Sequence, residues 1–464
     1  MTTPAAPAGP PPIIASMRPD GSRLVLHPAD VRGKWITWRR VVFAVLVLFY
    51  AGAPLVSVGG HPAVFLDVEH RKFYLFGSTF NAQDFWIVVL LALTFAFSLL
   101  FITAWRGRVW CGWACPQTVF LEGVFRPIER LIDGPRERRL KAAREPWTAA
   151  KAARFALKQA LFLAASIAIG HAATAIFVTP RALSLMIAEG PLAHPEAFGL
   201  STGFALIVFF NFAWFREQFC VVLCPYGRLQ SVLHDKDSIT VAYDERRGEP
   251  RGHLKTAGVQ PRGDCIDCLK CVHACPTGID IRQGLQMECL ACNQCIDACD
   301  EVMLKVKKPK GLIRFLSVNE QTGGRRVVAR PRLFIYGGVV VAALVSLVAS
   351  LALRTPFESN VLRPRGSNPW TVDGATVRNA FELHLINKNP ETSTFHVTVS
   401  SPVPASIIVG TPEVELGSLL DSRVPVSVSI EKRDLRGPVE LTVQITDSVS
   451  GKVKQMPVRF LAPL

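Results

Sequence analysis

The sequence predicts a multi-domain membrane protein: an α-helical transmembrane bundle of five spans, a cysteine-dense insert between the fourth and fifth, and a C-terminal all-β sandwich. Three observations predict it. Five apolar runs each approach twenty residues, eight of the twelve cysteines lie between Cys265 and Cys299, and the pattern beyond Arg354 changes to a period of two.

Nearly half of the 464 residues are apolar, which fits several membrane spans better than one soluble core. The expected spans are Val41 to Gly60, Phe85 to Ala104, Ala160 to Val178, Phe198 to Phe215 and Leu333 to Leu353. A twenty-residue helix is about 30 Å long and matches the hydrocarbon thickness of a bilayer. Pro54 and Asn211 do not forbid their spans, because neighbouring groups can re-satisfy freed backbone.

Twelve Lys and Arg in the second loop and nineteen in the fourth stand against two in the first and one in the third. The positive-inside rule therefore places the N-terminus and clustered cysteines in the cytoplasm and the C-terminal domain in the periplasm, in a multi-pass protein of a bacterial inner membrane. Arg354, Arg363 and Arg365 run against the rule, but the larger contrasts outweigh them. The formal charge of +15 is thus an orientation signal compatible with contact to anionic membrane lipid, and nucleic acid is not expected as a partner.

The expected organisation is a cytoplasmic tail over residues 1–40, spans one to four over 41–232, a soluble domain with linkers over 233–332, the fifth span over 333–353, and a periplasmic domain over 354–464. Met1 to Pro12 is rich in Ala, Pro and Thr and reads as disordered. The second loop, Arg106 to Lys158, carries alternating charges and reads as an interfacial, solvated helix without chemistry.

Within the soluble domain two C-x2-C-x2-C-x3-C runs follow one another: Cys265, Cys268, Cys271, Cys275 and then Cys289, Cys292, Cys295, Cys299. This is the ligand spacing of a two-cluster bacterial ferredoxin, in which the fourth cysteine of each run serves the other cluster. The insert is therefore expected to be a two-cluster ferredoxin-like domain holding two 4Fe-4S clusters. One set is Cys265, Cys268, Cys271 and Cys299, and the other is Cys289, Cys292, Cys295 and Cys275. Zinc fits poorly, since three-plus-one runs are not its usual template. Disulfides fit worse in a reducing compartment. Pro276 ends the first run as expected, whereas Asp300 replaces proline after the second, so the local turn is expected to differ.

The remaining four cysteines form two C-x3-C-P motifs, Cys111/Cys115 and Cys220/Cys224, at the same end of the second and fourth spans. On a helix the i, i+4 spacing brings Cβ atoms to about 5–6 Å, close enough for one soft ion to bridge two thiols. The proline after each second cysteine disfavours helical geometry there and marks a break. Thiolates select Cu(I) and iron-sulfur centres, and a redox disulfide within each pair is the other chemistry open to them. Singly, each cysteine is more simply a small buried residue; two identical motifs beside a ferredoxin shift the reading to a functional role. Arg106, Arg108, Arg216 and Arg228 are placed either to offset thiolate charge or to anchor the spans. His171, mid-way along the predicted third span, is a candidate for quinone, proton or metal chemistry, with a helix–helix hydrogen bond as the plainer reading.

Beyond Arg354, alternation at Phe381 to Leu385, Phe395 to Val399, Val424 to Ile430 and Val439 to Ile445 predicts about seven short strands in an immunoglobulin-like sandwich. It contains no cysteine and no catalytic constellation. Its expected job is docking a partner.

The order of elements, together with Trp110-Cys111-Gly112-Trp113-Ala114-Cys115-Pro116-Gln117-Thr118, Trp214-Phe215-Arg216-Glu217-Gln218, Cys224-Pro225-Tyr226-Gly227-Arg228 and the segments from Pro276 to Arg282 and Cys299 to Asp300, resembles the CcoG (FixG, RdxA) family of cytochrome c oxidase accessory proteins. The resemblance implies a membrane-bound cupric reductase that converts Cu(II) to Cu(I) for assembly of cbb-type oxidase. It implies Cys111, Cys115, Cys220 and Cys224 as copper ligands and catalytic residues, and a homodimer. The implied partners are copper ions, a cytoplasmic electron donor, a copper transporter or chaperone, and oxidase assembly factors. The alternatives are a quinol-linked electron-transfer ferredoxin of a periplasmic respiratory chain and a non-catalytic assembly scaffold.

Overall fold

Among the described residues five helices are long and apolar enough to cross a membrane: Lys34–Gly52, Phe85–Arg106, Ala149–Thr174, Pro195–Phe215 and Pro331–Ala352, here spans 1 to 5. They belong to a computed structural model that describes residues 25–58, 61–69, 72–81, 84–252, 262–364, 366, 368–389, 391–418, 420–435, 437 and 439–462. The expected disordered tail, Met1 to Pro12, lies outside the described residues. The chain divides into two compact units, one of Met1–Phe76 with Trp86–Leu347 and one of Gly77–Phe85 with Val348–Leu464.

Span 1 departs from its expected bounds, starting at Lys34 instead of Val41 and ending at Gly52 instead of Gly60. Its early start is held by Asp297, whose carboxylate accepts the Ile36 amide at 2.9 Å and so satisfies a first-turn donor. Just beyond its end stands Pro54, and the chain passes into a short strand, Ser57–Val58. Span 3 also starts early, at Ala149, where the Thr148 hydroxyl caps the Lys151 amide at 3.2 Å. Ala, Lys, Arg and Phe carry this helix on toward the apolar run without a breaker. Spans 3 and 4 pack backbone to backbone: a Cβ on Gly170 would stand 3.0 Å from the Ala205 nitrogen, the close approach small residues permit between membrane helices. Most of the large apolar side chains on the spans, Leu48, Phe95, Leu206 and Ile335 among them, face outward.

The cysteine-rich segment folds around an antiparallel pair, Thr240–Tyr243 with Ile313–Leu316, and two helices, Lys270–Ala274 and Gln294–Lys305. Its core interleaves Val241, Tyr243, Ile281, Ile296, Met303 and Ile313 with the cysteines. The turn after the second run does differ from the first. Pro276 follows a helix that stops at Ala274, whereas the later helix runs through Cys299 and Asp300 to Lys305. With no proline to stop it, Asp300 instead accepts the Gly311 amide at 2.9 Å.

The second unit is the expected sandwich, with nine strands instead of about seven among the described residues. One sheet has the order Ser406–Val409, Asp421–Glu431, Thr376–Asn387, Phe357–Leu362, with Thr371–Asp373 added beside Thr376–Asn387. The other runs Glu413–Leu416, Ser393–Ser400, Val439–Asp447, Val453–Phe460. Inward residues alternate cleanly, so that Val377, Leu383, Leu385, Phe395, Val428 and Ile445 are fully enclosed. Phe357 and Phe395 meet edge to face across the sheets, 5.4 Å between ring centres.

Candidate functional site

Two cavities in the cysteine-rich domain sort the eight thiols. Cys265, Cys268, Cys271 and Cys299 line one, with Tyr243, Arg282, Met303 and Ile313. Cys275, Cys289, Cys292 and Cys295 line the other, with Cys271, Val241, Pro276 and Ile281. The crossover of each fourth cysteine is therefore present in the way the walls are assembled.

The two runs bend alike. Asp267 and Leu269 in the first, and Ala291 and Asn293 in the second, all take left-handed backbone angles, φ 53, 57, 50 and 65°. Such turns direct successive amides into a concavity that suits an anionic guest. Four soft thiols, apolar walls and inward amides fit a 4Fe-4S cluster in each cavity. Among the described residues no three His, Cys, Asp or Glu side chains close tightly enough for a single ion. Burial pushes the Cys289 thiol up to about 12, against the pull of the Ala291 amide and the Arg108 guanidinium.

The four other cysteines lie within electrostatic reach of one another. Cys111 lies in the short helix Val109–Trp113, while Cys115 is extended (φ −62, ψ 127°) and begins the next helix with Pro116. In the fourth-span motif, Cys220 sits in a π-helical turn and Cys224 is again extended (φ −71, ψ 111°) before Pro225. The expectation of a shared helical face is thus corrected, because each proline removes the second cysteine from the helix, as its missing N–H and its ring dictate. All four thiols nevertheless act on one another electrostatically, Cys220 with Cys115, Cys111 and Cys224, and Cys111 with Cys115 and Cys224. Burial pushes Cys111 up to about 11, opposed by a hydrogen bond from Gln230 and by Arg108. Gln230 Nε2 donates to Cys111 Sγ at 3.2 Å, so the helix after one motif holds the thiol of the other. Amides of Gln117 and Thr118 point at Cys115.

A reciprocal amide pair ties the two motifs together, Asn211 Nδ2 to Gln117 Oε1 at 2.6 Å and Gln117 Nε2 to Asn211 Oδ1 at 3.3 Å. Gln117 Nε2 also donates to the Arg216 carbonyl at 2.8 Å. The thiol quartet in turn rests on the cluster domain. A Cβ on Gly112 would stand 2.3 Å from the Leu290 carbonyl oxygen, and Trp113 Nε1 donates to the Ala291 carbonyl at 3.3 Å. Leu290 and Ala291 separate Cys289 from Cys292, so the two sets of thiols are neighbours through one backbone contact. Arg39 Nε fixes it by donating to the Gly112 carbonyl at 2.8 Å.

Sequence reasoning missed what lies beneath. The second loop is not simply solvated: Arg126, Glu129 and Arg139 are buried, and the Glu122 side chain is 5% exposed, in an ion-pair network. Arg126 reaches Glu122 at 2.9 Å and Glu217 at 3.5 Å, and donates to the Pro276 carbonyl, beside Cys275, at 3.1 Å. Arg216 pairs with Glu129 at 3.1 Å. Each carboxyl, pushed up by burial, is held low by its arginines. The i, i+4 pair Glu122/Arg126, flanked by Phe120 and Phe125, was the available signal. Of the arginines considered earlier, Arg108 donates to the Gly227 carbonyl and opposes the upward shift of Cys111, Arg216 joins this network, and Arg106 lies 4.8 Å above the Trp105 ring. His171 stands in the last turn of span 3 instead of mid-span. Its Nδ1 lies 2.8 Å from the Ile167 carbonyl and 3.4 Å from Ser201 Oγ on span 4, the helix–helix contact, far along the chain from every cysteine.

Apolar spans joined to a domain with two thiol-lined cavities define a membrane-type iron-sulfur electron-transfer protein. Known proteins agree: a 4Fe-4S dicluster domain profile matches residues 215–318, a 4Fe-4S binding domain profile matches 87–135, and a profile for the IG-like fold at the C-terminal of FixG matches 347–463. The chain is 36% identical to protein RdxA of Cereibacter sphaeroides over 81% of its own length and 82% of that protein's. It is 33% identical to nitrogen fixation protein FixG of Rhizobium meliloti, over 83% and 81% respectively. The ferredoxin-type protein NapH of Escherichia coli is 25% identical over 45% of this chain and 66% of its own length. The chain belongs to the FixG/RdxA family.

Proposed function

We propose that this protein reduces Cu(II) to Cu(I) at the quartet Cys111, Cys115, Cys220 and Cys224, with copper as substrate, in support of cbb-type cytochrome c oxidase assembly. Two 4Fe-4S clusters, one held by Cys265, Cys268, Cys271 and Cys299 and one by Cys275, Cys289, Cys292 and Cys295, supply single electrons when bound. The carrying observation is that Gly112 and Trp113, in the short turn between Cys111 and Cys115, press on the loop between Cys289 and Cys292, while the four thiols lie within electrostatic reach of one another. Burial keeps Cys111, Cys115 and Cys220 protonated until a cation arrives, so loading Cu(II) releases thiol protons to solvent, side-chain rotation closes the quartet, and one electron per ion yields Cu(I). Thiolates favour the reduced ion, so release calls for a chaperone or transporter with soft ligands of its own. A cytoplasmic electron donor, a homodimer, an inner-membrane location with the clusters inside and the sandwich in the periplasm, and docking by that sandwich complete the proposal.

A second reading has its own observation: the 4Fe-4S binding profile over residues 87–135 spans Cys111 and Cys115, which favours a further iron-sulfur centre in the quartet and, with the NapH likeness, a quinol-linked carrier. The test is anaerobic reconstitution of the full chain with and without the paired change Cys111→Ser and Cys115→Ser. Cupric reduction calls for about eight iron in both, with copper binding and oxidation of the reduced protein by Cu(II) lost in the variant. Iron lost along with the thiols, or no reaction of reduced wild type with Cu(II), overturns it.

A further inference from the structure

At the basic end of span 3 a cavity of about 460 Å³ opens among residues before span 1, the segment after the first C-x3-C-P motif, and spans 3 and 4. Its volume falls within the range of about 300–1,000 Å³ typical of small-molecule sites. Six cationic side chains line it, Arg138, Arg139, Lys151, Arg154, Lys158 and Arg216, against only Glu129 and Asp133. Both carboxylates are already engaged, Glu129 by Arg216 at 3.1 Å and Arg139 at 3.9 Å, and Asp133 by Lys158 at 2.5 Å. Arg138 and Arg154 form no ion pair among the described residues.

Polar atoms in this wall also lack partners. Arg139, 3% exposed, has a buried Nε with no acceptor, and His27 Nδ1 and Gln159 Oε1 are buried without a hydrogen bond among the described residues. Such groups are costly unless something satisfies them. The cavity is graded as well. Phe155, Phe162 and Ala213 provide apolar wall on spans 3 and 4, and Trp147 meets Phe155 edge to face at 5.6 Å, with Lys151 5.2 Å above the indole. Lys and Trp at the end of an apolar helix mark the level of lipid headgroups.

We propose that this cavity binds the phosphate of an anionic phospholipid, with Arg138, Arg154 and Lys151 around the headgroup and an acyl chain along Phe155 and Ala213. Free phosphate shares the chemistry but would fill only the polar half, and the apolar half is what favours a lipid. Through Arg216, Glu129 and Arg126 the same wall continues to the Pro276 carbonyl, so the bound headgroup sits at the edge of the network that supports the thiol sites.

The test uses the full chain in nanodiscs of mixed phosphatidylglycerol and phosphatidylcholine, with retained lipid read by native mass spectrometry. Arg138→Ala with Arg154→Ala, both on exposed side chains, is the variant. The expected result is preferential retention of phosphatidylglycerol by the wild type and a loss of about tenfold or more in the variant, with thermal unfolding and iron content unchanged. Equal retention of the two lipids, or undiminished phosphatidylglycerol in the variant, overturns the proposal. Displacement of the lipid by inorganic phosphate also overturns it and assigns the site to the free anion.

Discussion

Gly112 lies against Leu290 so closely that a single added methyl would stand 2.3 Å from the Leu290 carbonyl oxygen. This contact joins the short helix carrying Cys111 to the loop carrying Cys289 and Cys292, and only glycine permits it.

Gly112→Ala is therefore expected to force these elements apart at an overpacking cost of about 1–3 kcal/mol. Iron content stays near wild type because no thiol is touched. Cu(II) reduction by pre-reduced protein slows in stopped flow; an unchanged rate shows that electrons do not pass by this contact.

Arg126 serves Glu122, Glu217 and the Pro276 carbonyl at once, and all these groups are shut away from water. Arg126→Met leaves two buried carboxylates without this partner and is expected to cost about 3–5 kcal/mol. Arg126→Lys is expected to rescue little, since an ammonium lacks the planar fork that reaches three acceptors. Thermal unfolding of the solubilised chain, followed by cluster absorbance, measures both. Wild-type stability in either would remove the network from the account.

Copper loading is expected to strengthen with pH. Burial holds Cys111 up near 11 and Cys220 higher still, so binding must expel thiol protons, and affinity rises by up to about tenfold per pH unit for each proton displaced. For the metal-free chain the sign reverses. These thiols keep their protons longer folded than unfolded, so their contribution to stability is complete below the ordinary thiol value of 9.0 and is lost as pH climbs toward 11. Competition with a Cu(I) chelator at several pH values checks the first, and a flat affinity refutes it.

In the sandwich, Asp447 is enclosed and accepts from Asn389 Nδ2 at 3.1 Å, the Val449 amide at 3.2 Å and the hydroxyls of Ser393 and Ser450. Burial alone would raise its carboxyl; these donors overcome that and hold it below the ordinary 3.8. Its stabilising contribution is thus present above that value and lost as pH falls through the depressed one. Hydrogen exchange of the full chain is expected to show Ser393–Ser400 and Val439–Asp447 loosening first in acid, and Asp447→Asn is expected to flatten that dependence. Uniform protection across the sandwich strands would contradict it.

Span count, the twin cysteine runs and their crossover, the proline breaks at Cys115 and Cys224, and the alternating strands were all legible in the chain. Each rests on local spacing: a periodicity, a ligand interval or a residue that cannot donate an amide. The start of span 1 was not legible, because the donor at Ile36 is satisfied by Asp297, 261 residues away. Nor was the role of the second loop, whose charges look solvated until Glu129 meets Arg216 and Arg126 meets Glu217.

By itself the sequence determined that this is a membrane protein with eight thiols spaced for two clusters and four more beside them, since ligand spacing and apolar length are properties of contiguous residues. Only the tertiary structure decided that Gly112 would touch Leu290, that Gln230 would hold Cys111, and that Arg126 would stand under Pro276. Those are contacts between segments far apart in the chain, chosen by packing and by the need to pair every buried charge, and no local pattern encodes them.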